Sequence, residues 1–433
     1  MSGDGLAPRR AALRAITDVE IDGAWSTIAV PERVGALPEL RDRALASRLA
    51  YDTIRWRDTL DWALSSVSSR TAAQIEPDLL RVLRLGTLQL LRMRVPHRAV
   101  VDTSVTLARQ AVPKARAQGA GGFVNGVLRN LVRRLDGEGL PWPEGDDDAA
   151  LALRTAHPAW VVADVRATFG SEAAATILAA DNESPGLTLR ANGDVDDLVA
   201  ELIAAGVEAR RHEVVDQALC APGADPRQLA CVAEGRAVPQ DAASMLVSLA
   251  VAPGLGHSVL DMCAGPGGKS THLAHLIGTT GTVTALELHE HRARLISGAA
   301  QRQLLTNVDV VVADALETGA SDITYDRVLL DAPCTGLGVG RRRPEVRWRR
   351  TPEDVVSLAD LQARLLVRAA SQVAPDGRLV YAVCTWTAAE TTGVLSDPRV
   401  LKATEGFAAP EVQQIRPDLH DADAMFIATF DRT

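Results

Sequence analysis

The stretch Ser258–Ser270, SVLDMCAGPGGKS, constrains this chain more than any other. An apolar run, Val259 and Leu260, closes at Asp261 and passes into a turn holding Gly265, Gly267 and Gly268, with helix-forming residues beyond. A strand, a glycine turn and a helix in that order make a binding junction for nucleotide-like ligands. Glycine lets the backbone bend sharply and approach the ligand, and the free N–H groups of the helix N-terminus point outward. GGKS also ends a P-loop, but that motif requires a glycine five residues before Gly268, where Cys263 stands.

From Ser258 onward strand and helix patterns alternate, which predicts right-handed crossovers and a parallel sheet. The predicted strands are SVLDM, TVTALEL, DVVVAD, RVLLDAP, GRLVYAVC and a late MFIATF. Acidic residues fall at or near successive strand ends: Asp261, Glu287, Asp314 and Asp331. Ligands of open α/β sheets lie outside those carboxyl ends. Glu287, about 20 residues past the turn, suits a ribose diol, and Asp314 an adenine edge; together they predict an adenosine-type ligand.

Residues 7–135 carry helical periodicity throughout, interrupted mainly between segments by Pro31, Pro38, Pro77, Pro96 and Pro113, and predict a bundle of five to seven helices. Its arginines Arg55, Arg57, Arg81, Arg84, Arg92, Arg94, Arg129, Arg133 and Arg134 are assigned to the surface. The run Asp136–Asp148 reads as a linker. Two helices, the strand PGLTLRAN and a further helix then form a small α/β unit at about 151–235. The net charge of −9 is uneven: residues 1–140 hold 21 Lys+Arg against 15 Asp+Glu, so the first third is basic. No apolar run reaches the ~18 residues of a membrane helix, and the start of the chain is too polar for a secretory signal. Five cysteines without CxxC spacing predict free thiols in a reducing cytoplasm.

Strand RVLLD ends at Asp331-Ala332-Pro333-Cys334, and strand RLVYAV at Cys384-Thr385. Both ends bordering one pocket would bring two thiols and a carboxylate to a reactant beside the nucleotide. Cys263, inside the turn, reads as a packing residue, and Cys220 and Cys231 as structural. His272/His275 and His289/His291 lack a third ligand at suitable spacing, so they read as solvated positions and no metal is expected.

DMCAGPGGKS, DAPCTGLGVGRRRPEVRW and YAVCTW together resemble the RNA cytosine-C5 methyltransferase family (Nol1/Nop2/Sun). LRLGTLQLLRM and FVNGVLRNLVRR are similar to the NusB-like domain of its bacterial Sun/Fmu branch, which methylates a cytosine of 16S ribosomal RNA. The resemblance extends to HPAW, LTLRAN, VPQDAASML and DAMFIATF, covering almost the whole chain. It implies a multidomain protein: an all-α NusB-like RNA-binding bundle at 1–140, a small α/β, RRM-like subdomain at 151–235, and a Rossmann-like S-adenosylmethionine-dependent methyltransferase domain at 236–433.

The implied cofactor residues are Cys263, Ala264, Gly265, Pro266, Gly267, Gly268 and Lys269, with Glu287 on ribose, Asp314 on adenine and Asp331 near the methionine end. Cys384 is the implied nucleophile, Cys334 the residue assisting product release, and Asp331 the carboxyl group at the cytosine N3/N4 edge. Sequence alone does not order the two cysteines, because a Pro-Cys strand end carries the nucleophile in DNA cytosine methyltransferases. The loop Arg341–Arg350 holds six arginines and Trp348; Arg341, Arg342, Arg343, Arg347 and Trp348 are expected to clamp phosphates and stack on a splayed base. A cytoplasmic, monomeric enzyme acting on ribosomal RNA is expected. The chain departs from the family pattern at Val383, where threonine is usual, at Thr387-Ala388-Ala389-Glu390, which replaces an acidic PEEN-like run, and at Glu287, where aspartate is commoner.

A DNA or protein amino-methyltransferase would place an aromatic where Cys334 stands. A purely RNA-binding protein would need only the basic helical part.

Overall fold

A computed structural model describes residues 5–317 and 324–433. They fall into two compact units: one runs to Asn182 and includes Arg342–Arg349, the other comprises Glu183–Arg341 and Arg350–Thr433.

Among the described residues of the first unit, seven α-helices lie between Leu6 and Asp136. Helix Pro77–Arg92 starts with proline in its first turn, where the missing N–H costs nothing, and buries Leu79, Leu80, Leu83 and Leu88. Helix Ala117–Asp136 contributes Val124, Val127, Leu128 and Leu131 to the same core. Each such side chain stabilises the bundle by about 1.5–3 kcal/mol. At Gly86 an added Cβ would lie 2.9 Å from both Leu128 Cδ1 and Ser104 Oγ, so glycine is what lets these helices approach. Three further helices, Asp148–Thr155, Ala159–Phe169 and Ser171–Ala180, complete the unit; the first is missing from the sequence reading.

Three of the nine arginines assigned to the surface are buried. Arg84 makes two 2.7 Å bonds to Asp61 and a 3.0 Å bond to Glu20. Arg81 pairs with Asp78 and Glu20, and Arg55 with Asp52. The guanidinium fork matches carboxylates, so charge that looks solvated along the chain is consumed by carboxylates of the same helix or of neighbouring ones.

The Arg341–Arg350 loop also differs from an open clamp. Arg341 is buried in the second unit against Asp421 and the Ala422 carbonyl. Residues 342–349 fold into the first unit. Arg347, 2% exposed, pairs with the buried Asp181 and donates to Asn182 Oδ1 and the Ala156 carbonyl. His157 meets the same Asp181 carboxylate at 3.1 Å, and its pKa is pushed down to about 4 by burial and by Arg347. Trp348 donates to the Ile54 carbonyl at 2.7 Å beneath the Arg57 guanidinium, Glu345 accepts from Ser26 N, and Arg349 donates to the Val19 and Ala24 carbonyls. Arg343 is exposed and Arg342 half-buried.

The second unit holds two sheets. Strands β1 (Leu187–Ala191), β2 (Arg210–Arg211), β3 (Ala218–Ala221) and β4 (Ala237–Pro239) pair antiparallel in the order β2-β3-β1-β4. The larger sheet contains β5 (Ser258–Asp261), β6 (Thr282–Glu287), β7 (Val308–Val312), β8 (Tyr325–Asp331), β9 (Val373–Val383), β10 (Glu411–Ile415) and β11 (Met425–Asp431). Its order is β10-β11-β9-β8-β5-β6-β7. The five strands β5 to β9 are mutually parallel, while β11 and β10 add antiparallel at one edge. This is a Rossmann-like sheet with an antiparallel edge. Strand β10 is absent from the sequence reading, because EVQQI is largely exposed and has no apolar face to betray it.

Breaking a buried ion pair leaves an uncompensated charge, so Arg347→Met should lower the unfolding free energy by about 3–5 kcal/mol. Arg343→Ala, at an exposed position, should change it by less than about 1 kcal/mol. Urea unfolding followed by circular dichroism measures both.

Candidate active site

The chain runs from β5 outward to β6 and β7, then crosses back to β8 on the other side of β5. Strand order therefore reverses between β5 and β8, and the crevice at that switch point is where open α/β sheets bind ligands. The glycine turn leaves β5 there and opens helix Gly268–Ile277. Gly267 sits at φ 105°, and an added Cβ would lie 2.9 Å from Ile296 Cα. A Cβ on Gly265 would lie 2.3 Å from Glu287 Oε2. That carboxylate, buried at the end of β6, accepts from Gly265 N and His289 N, both at 3.0 Å. Asp314, just beyond β7, is half-buried and accepts from Leu316 N. Turn, Glu287 and Asp314 thus line adjacent strand ends, and the cradle is shaped by atoms that tolerate no side chain at Gly265 or Gly267. These residues fit an adenosine-bearing cofactor. Cys263 packs on the sheet core, and burial holds its thiol pKa well above the usual range.

Across the switch point Lys269 Nζ lies 2.6 Å from Asp331 Oδ2. Burial works against the ammonium, but Asp331 outweighs it and holds the Lys269 pKa above its usual value. Asp261, 1% exposed, accepts from Ser270 Oγ at 2.7 Å through Oδ2, while Oδ1 has no partner. Burial, reinforced by the charge of Asp331, raises its pKa to about 7.

The parallel β8–β9 register sets Asp331 opposite Ala382. Continuing from those ends, Cys334 and Cys384 meet with their sulfurs 3.3 Å apart. Contact with Cys384, burial, and the nearby Glu390 and Asp331 charges push the Cys334 thiol well above its usual range. Below the pair lies Glu390, fully buried. It accepts from Thr335 N at 2.8 Å, Thr335 Oγ1 at 2.6 Å, Thr387 Oγ1 at 2.8 Å and Gln362 Nε2 at 3.0 Å.

Two residues that sequence reasoning missed also hold the site. Arg190 of β1, completely buried, donates to the Gly268 carbonyl at 2.8 Å and to Gln303 at 2.9 Å, supporting the turn from behind; burial lowers its pKa to about 9. Its signal was a charge inside the otherwise apolar LTLRAN strand. Glu390 gave only an isolated acid after TAA. His272 is buried against Gln217 Oε1 at 2.6 Å rather than solvated, because it lies on the inner face of helix Gly268–Ile277. His289 and His291 are exposed.

Since the Asp261 pKa is raised in the fold, its contribution to stability is complete below the unfolded value of about 3.9 and is lost as pH rises through about 7. Asp261→Asn keeps an acceptor for Ser270 and abolishes that loss. The variant's melting temperature relative to the native protein should rise between pH 5 and pH 8, by about 2–4 °C or more in scanning calorimetry.

Family models match along the chain: NusB family at residues 6–133, the RsmF/B-like ferredoxin-like domain at 157–224, and 16S rRNA methyltransferase RsmB/F at 248–431. A putative methyltransferase of Mycobacterium tuberculosis is 38% identical over 98% of this chain and 96% of its own length. A probable ribosomal RNA small subunit methyltransferase B of Bacillus subtilis is 34% identical over 89% and 87%. Among solved structures, PH0851 superposes with a TM-score of 0.84 at 24% identity, covering 99% of this chain and 98% of that one, a likeness of fold. Similarity of this extent, with the cradle at the sheet's switch point and the paired cysteines beyond β8 and β9, places the chain in the RsmB/F family of S-adenosylmethionine-dependent 16S rRNA methyltransferases.

Proposed function

We propose that this enzyme transfers a methyl group to C5 of a cytosine in 16S ribosomal RNA, with Cys384 forming a covalent bond to C6. The observation that carries this reading is the 3.3 Å contact of Cys334 and Cys384 beside the Lys269–Asp331 pair. A relative from Pseudomonas syringae, 33% identical over 90% of this chain, bears the name ribosomal RNA small subunit methyltransferase B. Gly265–Lys269 would hold the cofactor by backbone and by the Lys269 side chain, with Glu287 at its ribose and Asp314 at its adenine. S-adenosylmethionine supplies an electrophilic methyl group on a sulfonium.

Cytosine C5 is a poor nucleophile, and that defines the work of the protein groups. Thiolate addition at C6 turns the C5–C6 bond into an enamine whose C5 is nucleophilic. In this reading Cys384 is the attacking sulfur and Cys334, 3.3 Å away, is its partner. Asp331, oriented by Lys269, accepts from the N4 amino group and positions the ring, while the Lys269 ammonium beside it offsets the negative charge that addition develops. Once C5 carries the methyl group its proton is removed and the Cys384–C6 bond breaks, a step that Cys334 assists. On the RNA side the exposed Arg343 and the half-buried Arg342 are proposed phosphate contacts, whereas Arg341, Arg347 and Trp348 act by holding the loop.

RNA carrying 5-fluorocytosine tests the chemistry, because fluorine at C5 blocks the final proton loss and traps the adduct. With S-adenosylmethionine, native protein and Cys334→Ala should give a covalent band on a denaturing gel, while Cys384→Ala should give none and lose methyl transfer by about 10⁴-fold or more. Loss in Cys334→Ala alone would reverse the two roles, and a native protein that gives no band would overturn cytosine-C5 chemistry.

A further inference from the structure

The two cysteines sit on loops from different strands, and no covalent link holds them together. Thr335 and Thr385, each next to one of these cysteines, converge instead on Glu390. Thr385 Oγ1 lies 3.0 Å from Thr335 Oγ1 and 3.3 Å from Glu390 Oε2. Thr387 reaches Oε2 from the Cys384 side and Gln362 reaches Oε1 from helix Pro352–Ala370. Gln362 also donates to the Pro333 carbonyl at 2.9 Å, one residue before Cys334, and the Tyr381 hydroxyl donates to the Glu390 carbonyl at 2.6 Å. Thr335, Gln362, Thr385, Thr387 and Glu390 are all fully buried.

A carboxylate offers acceptors only, and this pocket presents donors to both oxygens. Oε1 faces Thr335 N and Gln362 Nε2, neither of which can accept. An amide at position 390 must therefore turn its NH₂ toward the three hydroxyls, reversing them to satisfy at most two protons. A buried network satisfied in full is rigid, and one satisfied in part is loose. Glu390 thus bonds to both cysteine-bearing loops and to Gln362 of the helix between them in sequence.

We propose that Glu390 is a positioning residue for methyl transfer: its buried carboxyl group locks the Cys334 and Cys384 loops into the arrangement in which their sulfurs meet. The catalytic part of this inference rests on the thiolate chemistry proposed above. Glu390 touches neither sulfur; it acts through Thr335, Thr385 and Thr387.

Two measurements on the full chain separate the possibilities. The first is iodoacetamide alkylation at pH 8, followed residue by residue with peptide mass spectrometry, which requires no RNA. Glu390→Gln should accelerate labelling of Cys334 and Cys384 at least fivefold while Cys220 and Cys231 change less than twofold. Thr387→Val, which removes one donor, should give a smaller shift at the same two thiols. The second is the rate of adduct formation with 5-fluorocytosine RNA, which should fall at least tenfold in Glu390→Gln while S-adenosylmethionine binding by dialysis stays within about twofold.

Unchanged labelling of Cys334 and Cys384, or equal acceleration of all four thiols, would overturn the lock; the latter outcome means general support of the fold. Selective labelling with an unchanged adduct rate would overturn its role in catalysis. A native protein that forms no adduct would sink the cytosine reading, while the alkylation result would still decide whether Glu390 holds the loops.

Discussion

The register of three parallel strands is the constraint from which the site follows. Leu329 of β8 lies opposite Asp261 of β5, and Asp331 opposite Ala382 of β9, so the carboxyl ends come out level. Side chains alternate faces along a strand, and a slip of one residue would send each to the other side of the sheet. With the register fixed, Lys269 from the turn after β5 reaches Asp331, and Cys334 and Cys384 meet beyond their strands. Apolar side chains such as Val259, Leu329 and Val380, all fully buried in one core, hold that alignment.

Around this frame three buried charged residues hold the site through hydrogen bonds. Arg190 supports the turn, Glu287 is matched to two backbone N–H groups, and Glu390 is matched to the two cysteine loops. Asp261 differs from these three, with one buried oxygen unpartnered and its pKa raised to about 7 by burial. The site therefore mixes a carboxyl group held neutral with others arranged to accept, and the difference lies in which donors surround each one.

Much of this was legible in the sequence, for physical reasons. Glycines at 265, 267 and 268 are local requirements of a turn, and an acidic residue at the end of an apolar run is visible one segment at a time. The parallel core read correctly because buried parallel strands are continuous apolar runs. What stayed hidden depends on partners far along the chain. Arg81 and Arg84 look like solvated charges until the fold brings Glu20 to both and Asp61 to Arg84. Arg341 and Arg347 look like an RNA clamp for the same reason, and His272 looks exposed because its partner Gln217 is 55 residues away. Glu390 lacks the family's acidic neighbours, so nothing local marks it as the centre of a network.

The strap at 342–349 has a further consequence, for how this protein can be taken apart. The helical unit is not a bead at one end of the thread: eight of its residues are encoded inside the catalytic half. A single cut in the linker near residue 140 would part Glu345 from Ser26 and Trp348 from Ile54, leaving two side chains built for partners on the other piece. Neither half is modular in the sense of a gene segment that can be moved alone. Shuffling, fusion or evolutionary loss of the helical unit has to edit the chain in two places at once.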